Sequence, residues 1–168
     1  LDWLARLEKL PQQLKQYQAL LESGGRTERT QARIIIERIP NQLDALIVEN
    51  PEDSPFWGVF ENMPKAIESD TAQGLKNKAR SVISESLTPA YAAFKAFIEE
   101  RYLPNSREQP GIGSLPGGKA IYAMLARHFT TTNMTPEQIH NIGLREVARI
   151  RGEMQDVIDE VEFEGGLS

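Results

Sequence analysis

An all-α fold of about six helices, largely antiparallel and several of them kinked by proline, with no significant sheet, is what the sequence predicts. Three observations lead there. Apolar residues recur at spacings of three and four through most of the 168-residue chain, as helices with one buried face require. No segment alternates convincingly at the period of two that a half-buried strand shows. The stretch 135–161 opens with a full helix-start signature: Thr135 at the N-cap, Pro136 at the first helical position, where a missing N–H costs nothing, and Gln138 at the third position of a capping box. Met134 and Ile139 flank the cap as a hydrophobic staple, and Ile139, Ile142, Val147, Ile150, Met154 and Val157 continue one apolar stripe toward Val161.

In chain order, residues 1–49 predict a helical hairpin. Trp3, Leu7, Leu10, Leu14, Tyr17 and Leu21 form its first stripe, with a kink or a fresh helix start at Pro11, because proline removes a donor and clashes with the preceding turn. Ser23-Gly24-Gly25 should end that arm. Ala32, Ile36, Ile39, Leu43 and Leu46 form the second stripe, bent at Pro40. Residues 50–64 read as a loop in which Phe56, Trp57 and Phe60 are pinned against the body, the alternative being an exposed surface for a partner. Residues 65–103 return to helix. Thr88-Pro89 offers a cap between two helices, a reading preferred over one kinked rod. Residues 104–117, with three prolines and several glycines, predict the longest loop, and 118–161 a helix-turn-helix broken by Thr130-Thr131-Thr132-Asn133.

Composition narrows the function. At 40% hydrophobic and 26% charged residues the chain can bury a core, and disorder is not the default. A net charge of −5 without clustered Lys and Arg argues against nucleic-acid partners. The absence of cysteine removes disulfides, thiolate nucleophiles and Cys-ligated zinc. No apolar run reaches a membrane span, and Leu1-Asp2-Trp3-Leu4 is not a signal peptide. The ends of the chain read as cut from something longer, so a soluble protein is expected, either cytoplasmic or exported to the periplasm or as a lipoprotein after loss of a leader.

Candidate chemistry is sparse. Gly113-Ser114-Leu115-Pro116-Gly117-Gly118-Lys119 has phosphate-loop spacing. However, no strand precedes it, Pro116 deletes an amide donor, and Ala120 stands where a magnesium-holding hydroxyl belongs, which leaves a glycine-rich approach to a helix. Glu137 and His140 lie one turn apart as in di-iron bundles, yet such sites need a second pair, and His128 has Leu125 where its acid would be. Neither catalytic residues nor a metal or cofactor site is expected within the chain. What remains is a polar cluster at one helix-turn-helix corner: Tyr122, Arg127, Thr130, Thr131, Thr132 and His140.

The run Leu115-Pro116-Gly117-Gly118, then Tyr122, Thr130-Thr131-Thr132, Thr135-Pro136-Glu137-Gln138-Ile139-His140 and Gly143-Leu144-Arg145-Glu146-Val147 closely resembles the bacterial domain-of-unknown-function 885 family. Pro89-Ala90-Tyr91, Tyr102-Leu103-Pro104 and Arg107 look like that family's lead-in. The resemblance implies a long, mostly helical, zinc-peptidase-like protein whose HExxH motif lies in a later part, and no HExxH occurs here. It implies that residues 1–168 are one helical domain or the N-terminal part of such a protein, shaping a cleft without being catalytic. Tyr122, Arg127, Thr131 and His140 would then lie in the cleft wall, and zinc would be held only by the longer protein. The implied partners are the downstream remainder of the chain, a peptide substrate, or a second copy through self-association. The alternative is a non-enzymatic helical interaction module that binds a protein through a groove or through the Phe56-Trp57-Phe60 loop.

Overall fold

The structure is a computed structural model, and it describes residues 2–163 and 165. It is all-α: among the described residues no strand forms, and Ala32 and Arg107 make one isolated parallel bridge. The chain divides into two compact units, Leu1–Pro116 and Gly117–Ser168.

In the first unit, α1 (Asp2–Leu7) and α2 (Leu10–Arg26) separate just ahead of Pro11, which takes a first-turn position of α2 where its missing N–H is harmless. The glycines do not stop α2. It runs on through Arg26, and the left-handed residue that turns the chain is Glu28, at φ 57°. For a side chain with a Cβ this conformation costs about 1 kcal/mol or more. Gly24 serves a different purpose: an added Cβ would stand 2.9 Å from the Arg29 carbonyl oxygen, so only glycine lets the returning strand of chain lie this close. The second arm is broken into α3 (Arg33–Ile36) and α4 (Ile39–Asp44), with Pro40 in the first turn of α4.

Both arms pack on one long rod. It comprises α6 (Ser69–Ser81), a π-helical stretch Val82–Leu87, α7 (Thr88–Phe97) and a second π-helical stretch Ile98–Tyr102. The expected helix break at Thr88 does not occur. Thr88 is helical, caps nothing, and its buried hydroxyl oxygen has no hydrogen-bond partner among the described residues. Each π-helical stretch ends two residues before a proline, Pro89 or Pro104. A proline lacks the N–H and crowds the carbonyl four residues back. At Pro89 the widened preceding turn accommodates both defects and the rod continues, whereas before Pro104 the second widened turn closes the rod and a 3-10 turn, Leu103–Asn105, follows.

The core of the first unit gathers Leu4, Leu7, Leu43, Trp57, Phe60, Ile83, Leu87 and Tyr91. A second cluster of Ile36, Phe97, Ile98 and Tyr102 surrounds the second π-helical stretch. The second unit is a helical hairpin of α8 (Gly118–Thr130) and α9 (Pro136–Glu160). Gly117, at φ 71°, starts α8 from a left-handed conformation that glycine adopts at no steric cost. Thr131 ends α8 in the same region at φ 55°. Thr135 caps α9 as the sequence predicts: its hydroxyl accepts from the Gln138 N–H at 3.2 Å, and Gln138 Oε1 accepts from the Thr135 N–H at 2.8 Å.

Candidate functional site

The 50–64 segment is settled by burial. Trp57 and Phe60 are each 4% exposed, and Phe56, partly buried, stacks on Tyr91 with ring centroids 6.1 Å apart and accepts at its carbonyl from Trp3 Nε1 at 3.2 Å. Pro51–Asp53 winds one 3-10 turn, Gly58–Glu61 forms the short helix α5, and Arg80 closes the knot by lying over the Trp57 ring at 5.0 Å while pairing with Glu52 at 2.7 Å. These aromatics are core, so the partner-binding loop considered for them is ruled out.

The first unit carries a groove of about 830 Å³ between the end of α2 and the second π-helical stretch. Thr30, Phe97 and Tyr102, all buried, form its floor. Arg26, Glu28, Glu100 and Arg101, all exposed, stand at its rim. Arg107 builds it. Its Nε donates to the Thr30 carbonyl at 2.8 Å, its Nη1 reaches the Gln109 carbonyl, the Gly111 carbonyl at 2.9 Å and Ser114 Oγ at 2.9 Å, and its backbone N–H donates to Thr30 Oγ1 at 3.1 Å. One guanidinium therefore gathers the 104–116 loop and ties it to the chain after α2. Arg33 adds a 2.6 Å pair to Glu108, and the Gln31 N–H donates to Tyr102 Oη at 2.9 Å. The sequence showed Arg107 only as part of a resemblance. Its partner across the groove, Thr30, lies 77 residues away, and no local pattern signals such a contact.

In the second unit the predicted polar cluster is dispersed in role. Tyr122 and Thr130 line a groove of about 360 Å³ with Leu125, Phe129, Pro136 and Ile139, whereas Arg127, Thr131 and His140 lie outside its lining and are exposed. The threonine hydroxyls largely serve the turn: Thr130 donates to the Ala126 carbonyl at 2.7 Å and meets Thr132 Oγ1 at 2.9 Å, and Thr131 donates to the Thr130 carbonyl at 2.7 Å. Glu137 is exposed beside the equally exposed His140, and His128 lies edge-on to Phe129. Among the described residues no group of three or more His, Asp or Glu is arranged to hold a metal ion, and none of the helices is long and apolar enough to cross a membrane.

The feature that sequence periodicity leaves unweighted is exposure. No residue of α9 is buried. Leu144, Val147, Ile150, Met154 and Val157, between 45% and 57% exposed, follow one another at helical spacing, and Val161 extends the line. Ile150, Met154, Val157 and Ile158 border a shallow trough of about 370 Å³ along it.

The sequence model of a family described as "Bacterial protein of unknown function (DUF885)" matches residues 1–168. The chain belongs to that family. Among solved structures, the DUF885 chain is similar to one described as the "putative lipoprotein" from Colwellia psychrerythraea, with a TM-score of 0.79 and 23% identity. The likeness covers 98% of this chain and 28% of the Colwellia chain, so the DUF885 segment spans a little over a quarter of that protein's length. At this identity the likeness establishes the fold. No curated protein matches the chain.

Proposed function

We propose that the chain is the N-terminal helical part of a longer zinc-peptidase-like protein, shaping a cleft whose metal and general base come from downstream sequence, and that it is not itself catalytic. The uncovered stripe of α9 carries this reading. Five apolar side chains about half exposed along one face of a 25-residue helix make a continuous patch of the kind that marks an interface. The span of 28% in the Colwellia chain supplies a class of protein in which further sequence could cover it. The DUF885 resemblance supplies the chemistry, an HExxH zinc site in a later part, where two histidines hold the metal and the glutamate acts as general base. Tyr122, Arg127, Thr131 and His140 are then a stretch of cleft wall, with a peptide as the substrate. The lipoprotein description of the Colwellia relative favours an exported location over a cytoplasmic one.

The test compares the uninterrupted protein with this chain. Bound zinc and chelator-sensitive peptide cleavage are expected in the longer protein and in neither respect from the 168 residues alone. A longer protein that is metal-free and inert toward peptides would overturn the peptidase reading.

A further inference from the structure

The groove of the first unit has a chemistry of its own, independent of the second unit and of any zinc. Its floor is rich in unspent donors. Tyr102 Oη accepts from Gln31 and Thr30 Oγ1 accepts from Arg107, while the proton of each hydroxyl has no acceptor among the described residues. Arg107 spends Nε and Nη1 on the loop and leaves Nη2 without a hydrogen bond among the described residues. At the rim, Arg101 is committed, paired to Glu22 at 3.1 Å and lying 5.6 Å over the Phe97 ring. The Arg26, Glu28 and Glu100 side chains have no ion pair or hydrogen bond among the described residues.

Donors clustered on a buried floor favour an anionic oxygen group, and guanidinium favours a planar carboxylate. Three carboxylates, Glu22, Glu28 and Glu100, stand against three guanidiniums, Arg26, Arg101 and Arg107. That balance disfavours a polyanion such as a nucleotide and suits a ligand carrying both charges. Leu21, beside the Phe97 floor, adds an apolar surface for a side chain. We propose that the groove binds the C-terminal end of a short peptide, with the terminal carboxylate toward Tyr102, Thr30 and Arg107, and a ligand ammonium toward Glu28 and Glu100. Two irregularities converge on this place. Glu28 holds a left-handed backbone, and Glu100, Arg101 and Tyr102 belong to a π-helical stretch, a form frequent at functional sites.

The proposal does not rest on the peptidase reading, and its test needs only this chain: amide NMR titration with the dipeptide alanyl-phenylalanine, with its C-terminal amide and with inorganic phosphate. Saturable shifts confined to residues 21–31 and 97–107 are expected, with affinity falling about tenfold when the carboxylate is amidated, the loss of one charge-assisted contact. Glu28→Gln and Glu100→Gln, at exposed positions facing the ligand ammonium, should each weaken binding about fivefold or more with the unfolding temperature unchanged. Three ligand results would each overturn the proposal: no saturable binding, equal affinity for acid and amide, or phosphate binding as tight as the dipeptide, which would reduce the groove to a general anion site. Dipeptide affinity unchanged in both variants would also overturn it. Failure here leaves the zinc test untouched, and an inert longer protein leaves this result standing.

Discussion

At Gly24 a methyl group would meet the Arg29 carbonyl, a backbone atom that cannot swing aside, whereas at Gly74, inside α6, nothing lies within 4 Å. Gly24→Ala should therefore lower stability by about 1–3 kcal/mol despite alanine's better helix propensity, and Gly74→Ala should raise it by about 0.5–1 kcal/mol. Urea unfolding of the two variants checks both signs. A second residue-scale effect concerns pH. Burial raises the Tyr91 phenol above its ordinary value of 10.0. The hydrogen bond to Asp44 raises the Lys95 ammonium, against a smaller opposing effect of burial and with the charges of Asp44 and Glu99 adding to the rise. A folded value above the unfolded one means that folding favours the protonated form. The contribution of both groups is then complete below about pH 10 and is lost as pH climbs through the raised values. Unfolding free energy should be insensitive to these two groups at neutral pH and fall above about pH 10, and Tyr91→Phe should remove the phenol's share of that fall. An alkaline profile identical in Tyr91→Phe and the parent chain would contradict the assignment.

Among the elements, α9 is held at its start by a reciprocal cap, so Thr135→Ala should cost about 1 kcal/mol and fray the first turn, visible as lost helical circular dichroism and faster amide exchange at residues 136–139. The cap was legible in the sequence because all its parts lie within four residues. So was the burial of Trp57 and Phe60, since large aromatics bracketed by prolines have few places to go but a core. The course of residues 82–102 was not legible. A proline after threonine looks the same whether it begins a helix or is absorbed by a widened turn, and packing decides the matter, with Ile83, Leu87 and Ile98 fully buried on the rod. The turn after α2 misled for a similar reason. Two glycines suggest a left-handed cap, yet Glu28 takes that conformation and Gly24 is there for closeness to Arg29. The groove escaped sequence reading altogether, because Arg107, Thr30 and Tyr102 meet only in three dimensions.

At the scale of the whole molecule, the first unit encloses a core, whereas the hairpin of the second has Gly118 as the buried residue of α8 and none in α9. A hairpin with so little interior is marginal in water. Covering the stripe Leu144, Val147, Ile150, Met154 and Val157 would contribute on the order of 1 kcal/mol per side chain. The isolated chain should accordingly bind a hydrophobic dye or self-associate more than the longer protein does, and a dye-silent monomer would count against that. The most direct measurement is amide hydrogen exchange over residues 144–161, made on this chain and on the uninterrupted protein under the same conditions. Coverage of the stripe predicts exchange slowed about tenfold or more in the longer protein, with the core of the first unit little changed. Equal rates along α9 in the two proteins would mean that its apolar face stays open to water, and would contradict the reading of this chain as the supporting part of a larger fold.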